Sequence, residues 1–529
     1  MEWDGKIAIT ATLAVPPNVL KTNAPNTLTL SLPGITGVNI EGAWLDAFSI
    51  LYAIGEDSLP SLVIFRTFPA GGARRYRVSI VSSPAGYRAY DITDPLRPVR
   101  VGAQANGQQV ALADPGDRPR RYIVVSNESI STPAVRPRHD LWSFHPGGEP
   151  GGADYLIITH PSFADALAPL RDLRQGQMSV TVANVLGIYD AYGDGRPDPE
   201  AIRSFIADVY QRWSPPPLYV LLVGDGSFDP KQYRASSPPT FIPPYLAEVD
   251  PWGGETAADN RYACVDGSDN LPDLIIGRLP VSSAEQAQKL IEKIVSYETA
   301  PLPGGWNARV ILVADDPDNA GDFPASSESL AEGYVSEPFF PVRLYCNGVS
   351  PYESDCDDSM SAGIRETLLR EWNLGALMVQ FTGHSSWQQW AHERFFHLDD
   401  VPGLRNDRRW PVVLGMTCFT SAFHRPEPVL DEELVLKDGG GAIATWGATG
   451  LGVGTGHDRL AKGFYQAVFE NSVATLGQAV LYGKLALLSS SSLYLDLLDT
   501  FTLLGDPATR WNRAIVDWPV RLYLPLVIR

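Results

Sequence analysis

Two residues able to do covalent chemistry each close an apolar run. "LGALMVQFTGHSSW" (374–387) stops at His384 directly after Gly383, and "WPVVLGMTCFTSAF" (410–423) stops at Cys418, 34 residues beyond that histidine. A free thiol is only a few per cent ionised at neutral pH, so it becomes an effective nucleophile when an imidazole lies within reach. As a pair they form a general base and a thiol nucleophile: the thiolate attacks a carbonyl and the histidine protonates the leaving amine. Gly383 lets backbone approach a substrate closely, and its N–H, or that of Cys418, could serve an oxyanion hole. Taken singly, each residue has a plainer reading, Cys418 as a buried structural cysteine and His384 as a strand-end histidine satisfied by backbone.

The elements that must position this pair are strands of an open parallel sheet, whose carboxyl ends carry the working loops. By that rule Asp315 and Asp316 ("LVADD") and Asp225 ("LVGDG") join the short list, with Asp315 placed to orient the imidazole. Substrate-pocket candidates are Ser385, Thr417 and Trp446, the last either a crevice wall or a plain core tryptophan. Other patterns fail. "DAYGDGRPDPEA" from Asp190 lacks the EF-hand ligands at Tyr192 and Ala201 and reads as a turn before a helix that starts at Asp198 or Pro199. His392, His397 and His424 show no i, i+4 metal pairing. The glycine-rich "GGGAIATWGATGLGVGTG" lacks a phosphate-loop pattern, and no G-x-S-x-G elbow supplies a serine nucleophile.

Along the chain, short alternating segments such as "RRYRVSIVSS" and "QQVALADPGDRPRRYIVVSN" predict an all-β, sandwich-like domain over 1–140. A linker rich in Pro, Gly and Arg follows, and cleavage near Arg136 or Arg138 is expected there if activation is proteolytic. Then β-branched apolar runs alternate with helical patterns, which predicts α/β subdomains over 141–300 and 301–515, lying side by side or sharing one sheet, mostly parallel and covered by helices on both faces. Residues 516–529 form a short apolar tail.

With 529 residues the chain is long enough for several domains. Its net charge of -19 and lack of a basic cluster argue against nucleic acid as a partner. No run reaches the length of a membrane span, and the start shows no signal peptide. Among four cysteines, Cys346 and Cys356 flank a turn-like segment and can either bridge in an oxidising compartment or remain thiols, leaving Cys264 and Cys418 single.

The second half resembles the gingipain family of cysteine peptidases, whose fold is similar to that of caspases. The resemblance rests on the order of "FTGHSSW", "VVLGMTCFTSAF", "GGAIATWGATG" and "FTLLGDPATR", preceded by "YVLLVGDGSFDP" and "DNRYACVDGSDNLPDLIIGRLPV". It implies His384 as the catalytic histidine, Cys418 as the nucleophile of a thioester mechanism, and an acid after the strand "VILVADD", taken as Asp315 with Asp316 as alternative. The usual Gly-His-Gly is Gly383-His384-Ser385 here. An acidic residue that would set a preference for Arg has only Asp322 and Glu328 as candidates. The resemblance further implies an extracellular or surface-bound endopeptidase acting on proteins or peptides and needing no cofactor, with structural calcium an open option. A surface-protein transpeptidase using the same dyad, and a non-catalytic surface protein keeping the fold, are the alternatives.

Overall fold

The computed structural model describes residues 59–513 apart from 70, 146, 235–236, 347–355, 357 and 491–492, together with 12–14, 19 and 26–29. Contacts divide the chain into two units at Val135–Arg136. In the first, a four-stranded sheet (Leu62–Thr67, Arg120–Ser126, Tyr87–Asp91 and Val99–Val101, in spatial order) accompanies a three-stranded one (Arg74–Ser79, Gln109–Asp114, Ala103–Asn106). Every pairing is antiparallel. Alternate residues Val110 and Leu112, Tyr122 and Val124 point inward with Ile80 and Ala89, as half-buried strands require. Of two further alternating segments that read as strands, "NTLTLSLPG" is described only at 26–29, which are not strand, and "AWLDAFSILYA" lies outside the described residues, as does the tail from 514.

The second unit is built on one ten-stranded sheet. In chain order its strands are β1 (Tyr155–Thr159), β2 (Val180–Asn184), β3 (Tyr219–Val223), β4 (Ile275–Leu279), β5 (Arg309–Ala314), β6 (Phe340–Tyr345), β7 (Met378–Thr382), β8 (Val412–Met416), β9 (Ala444–Ala448) and β10 (Phe501–Leu504). Their spatial order is β6-β5-β7-β8-β9-β10-β4-β3-β1-β2. Pairing is parallel except at β9–β10, where the short "FTLL" strand runs antiparallel to β9 and pairs in the parallel sense with β4. The sheet is therefore α/β and mostly parallel, with one reversal of direction where the two halves of the sequence join.

Strands buried on both faces explain the unbroken apolar runs. One core layer extends across both halves, from Tyr155 and Leu221 to Leu414 and Trp446. The opposite face carries two separate clusters, around Phe205 and Trp213 in the first half and around Trp372 and Trp390 in the second. Helix Pro199–Arg212 starts as its sequence dictates: Asp198 caps it by accepting the Glu200 N–H, and proline occupies the first turn.

Candidate active site

Register does the positioning. Ala314, Thr382 and Met416 are level across the adjacent strands β5, β7 and β8. His384 and Cys418 each lie two residues past that level, and Asp315, Gly383 and Thr417 one past it. The shared offset brings the histidine and the cysteine off the sheet at the same height, on adjacent strands. The ladder continues one step beyond the strands, since the Asp315 N–H donates to the Thr382 carbonyl at 3.0 Å.

The imidazole is held by two neighbours. Asp318 Oδ2 lies 2.8 Å from His384 Nε2, and Phe323 meets the ring edge-on at 5.4 Å between centroids. Asp315 instead accepts the backbone N–H of His384 at 2.9 Å. The expectation that Asp315 orients the ring is thus corrected: the carboxylate on the ring belongs to Asp318. The reason is local. Asp318 closes a tight turn, its Oδ1 taking the Ala320 N–H at 2.7 Å and its N–H reaching the Gly321 carbonyl at 3.0 Å, which leaves Oδ2 for the imidazole. Asp322 then caps helix Phe323–Tyr334 through the Ala325 N–H, which delivers Phe323 to the ring.

Asp315 sits directly beneath the histidine backbone. A Cβ on Gly383, whose φ is 156°, would stand 2.3 Å from the Asp315 Cβ, so only glycine fits there. Burial, against the bond from His384 N–H and with the nearby charges of Glu393 and Asp316, pushes Asp315 up to about 7. Oxygens of Asp315, Asp316 and Glu393 all lie within 4.8 Å of one another, a donor set of the kind a divalent cation takes.

The nucleophile rides on a sharp turn. Phe419 is left-handed (φ 59°), which costs an aromatic residue about 1 kcal/mol or more and persists because neighbours fix it. Phe419 N–H donates to Gly450 O at 3.1 Å, Ser421 N–H to Ala448 O at 3.0 Å, and Asp431 N–H to Thr420 O at 3.1 Å. Asp431, fully buried under the turn, accepts the Ser421 hydroxyl at 2.6 Å, and burial raises its carboxyl to about 6. β9 approaches so closely that a Cβ on Gly447 would stand 2.6 Å from Asp431 Oδ2. The Cys418 thiol contacts the Gly452 carbonyl at 3.7 Å; burial, opposed by that contact and joined by the charge of Asp250, lifts its pKa above the usual thiol value.

A bridge joins the two strand ends. Ser385 donates to the Cys418 carbonyl, while the Thr417 hydroxyl lies 2.7 Å from Ser385 Oγ and 2.6 Å from the Gly383 carbonyl. Thr417 is fully buried, so it is a tie between turns and not a pocket wall. Trp446 likewise leaves the pocket: it is fully buried, stacked on Phe464 at 5.3 Å and edge-on to Phe501 at 5.4 Å. Asp225 stands apart, bonded to the Gly226 N–H and the Ser282 hydroxyl in the first half of the sheet. Glu328 is engaged in an ion pair with Arg343. His424 is buried with its Nδ1 unpartnered and burial drives it down to about 3, so it stays neutral.

Peptidase family C25 matches residues 149–512, well over half of the chain and all of the site just described. The chain belongs to peptidase family C25. Among curated relatives, Gingipain R2 of Porphyromonas gingivalis is 23% identical over 325 residues, covering 58% of this chain and 39% of the relative. Lys-gingipain of Porphyromonas gingivalis is 23% identical over 279 residues, 48% of this chain and 15% of the relative. The chain thus spans well under half the length of these proteins. The solved Arg specific cysteine proteinase gingipain R superposes with a TM-score of 0.55 at 20% identity, over 69% of this chain and 80% of that one. A complex of the Porphyromonas gingivalis RgpB pro- and mature domains gives a TM-score of 0.55 at 20% identity, over 68% and 79%. These structures fix the fold of the C25 unit as gingipain-like.

Proposed function

We propose that the chain is a cysteine endopeptidase that hydrolyses peptide bonds through a thioester, with Cys418 as nucleophile, His384 as base and acid, and Asp318 as the carboxylate that orients the histidine. The observation that carries this reading is the register-matched offset of His384 and Cys418, combined with a carboxylate on Nε2. A neutral ring donating Nε2–H to Asp318 leaves Nδ1 as the base, and the resulting imidazolium is stabilised by the aspartate.

The thiol proton passes to Nδ1 as sulfur attacks the peptide carbonyl, and the carbonyl π pair moves to oxygen. The N–H groups of Gly383 and Cys418 serve the oxyanion. Collapse breaks the C–N bond, the amine leaves with the proton from Nδ1, and a thioester remains. Water then gives its proton to Nδ1 and its hydroxyl to the acyl carbon, restoring the thiol. Family membership supports the reaction class, and the chemistry calls for no cofactor.

Proteins or peptides are the substrates of this reading. An extracellular or surface location is proposed with it, supported by the Cys346–Cys356 disulfide, since such bonds persist in oxidising compartments. The test is a panel of fluorogenic peptides covering all classes of residue before the cut. Wild type is expected to release fluorophore from at least one, and Cys418→Ala from none; equal hydrolysis by the variant overturns the assignment.

A further inference from the structure

The sulfur of Cys418 waits against the carbonyl of Gly452, in the segment that follows β9. That segment has no regular structure before helix Gly454–Tyr465 begins, so something else must fix it. The restraint comes from the other half of the chain. Asp250 ends the first strand of a hairpin, Leu246–Asp250 paired with Gly254–Ala257. Its Oδ1 accepts the N–H groups of Trp252 and Gly253 at 2.8 and 2.7 Å, pinning its own turn. Its Oδ2 accepts the N–H of Leu451 at 2.7 Å, across 201 residues of sequence.

Two threonines flank this bond. Thr256 donates to the Thr449 carbonyl at 2.9 Å, and Thr449 donates to the Ala257 carbonyl at 2.6 Å. Approach is close on both sides of the carboxylate: a Cβ on Gly450 or on Gly253 would stand 2.7 Å from Asp250 Oδ2. Asp250 is only 4% exposed, so its charge is met by backbone N–H groups more than by water. The Gly450 carbonyl in turn receives the Phe419 N–H, which closes a path from the hairpin through the wall to the nucleophile turn.

We propose that Asp250 is a positioning residue of the peptidase: it fixes the Leu451–Gly452 segment where the Gly452 carbonyl receives the Cys418 S–H, and so sets where the sulfur waits. The proposal rests on Cys418 being the nucleophile. The charged or titratable groups around this assembly include Asp250 itself, which opposes ionisation of the thiol, His384 just past the end of β7, His457 of helix Gly454–Tyr465, whose Nε2 would stand 2.4 Å from a Cβ on Gly452 and which burial drives down to about 4, and Asp496 of helix Asp496–Thr500, whose carboxyl feels the Asp250 charge.

Two measurements on the full chain test it: the pH dependence of Cys418 alkylation by iodoacetamide, read by peptide mapping, and steady-state kcat and KM on a cleaved peptide. Asp250→Asn removes the charge and sets an amide against the N–H donors it served. It is expected to lower the alkylation midpoint by about half a pH unit or more and to reduce kcat roughly tenfold with little change in KM, the scale of one charged hydrogen bond. Asp250→Glu keeps the charge but displaces the carboxylate, so kcat falls while the alkylation midpoint stays with wild type. A folded Asp250→Asn with wild-type midpoint and kcat overturns the proposal; if that variant does not fold, an unchanged kcat in Asp250→Glu does so. Should wild type cut no peptide while the midpoint still moves in Asp250→Asn, the peptidase reading fails and the hold of Asp250 on the thiol stands.

Discussion

At the scale of the residue, four carboxylates crowd the eight positions from Asp315 to Asp322, and three of them have different tasks. Asp315 takes the backbone of His384, Asp318 its ring, and Asp322 the start of a helix. The sequence names the cluster, but the strand-end rule selects its first member, because nothing in the order of residues reports that the turn at 318–321 aims the third one at the imidazole. Asp318→Asn is expected to lower kcat/KM by about a hundredfold on a cleaved peptide, because the ring loses the acceptor that fixes its tautomer. A value within twofold of wild type would remove Asp318 from the mechanism. Ser385 is legible as a departure from Gly-His-Gly, and its side chain proves to bond the Cys418 carbonyl. Ser385→Gly restores the usual glycine yet is expected to reduce kcat roughly fivefold here, the worth of one neutral hydrogen bond. Unchanged kinetics would show the bridge to be idle.

At the scale of the element, the strands carrying the site are readable because each is buried on both faces and so reads as an apolar run ended by glycine, threonine or cysteine. Harder to read are the parts that steady the turns. Asp431 steadies the nucleophile turn through Ser421, and the Leu246–Ala257 hairpin holds the segment beside Cys418 from the first half of the chain, with no periodicity to announce either. Burial of Asp315 under the His384 turn has a consequence for stability. Its folded pKa, about 7, is raised above the ordinary 3.8, so between those values the folded state holds a proton that the unfolded state has lost. Stability from this group is full below about pH 4 and declines as pH rises toward 7. Thermal unfolding of a Cys418→Ala background between pH 4 and 8 is expected to show a steeper decline than the same protein carrying Asp315→Asn. Parallel curves would mean that Asp315 is ionised throughout.

At the scale of the whole molecule, the α/β class, the antiparallel unit and the order of strands and helices follow from the change of rhythm near residue 140, from period two to apolar runs between helices. The joining of two halves into a single sheet does not follow, because it depends on β10, four residues long, inserting between β9 and β4 with reversed direction. A strand that short carries no pattern able to specify its neighbours. The pairing of Cys346 with Cys356 was likewise open in the sequence and is a disulfide in the structure, ten residues apart. A closed loop of that size is worth about 2–3 kcal/mol by restricting the unfolded chain. Replacing both cysteines with serine is therefore expected to lower the midpoint of urea unfolding, and an unchanged midpoint would show that the bond contributes nothing.

The central claim is that Cys418 is a nucleophile activated by His384, and acyl-enzyme trapping tests it most directly. Wild type, His384→Ala and Cys418→Ala are mixed with a cleaved peptide whose scissile bond is replaced by an activated ester, quenched in acid, and mapped by mass spectrometry. The account predicts an acyl group on Cys418 in wild type, much slower acylation in His384→Ala, none in Cys418→Ala, and no label on the buried Cys264. An acyl group found on another residue, or acylation of Cys418 at the wild-type rate without His384, would contradict it.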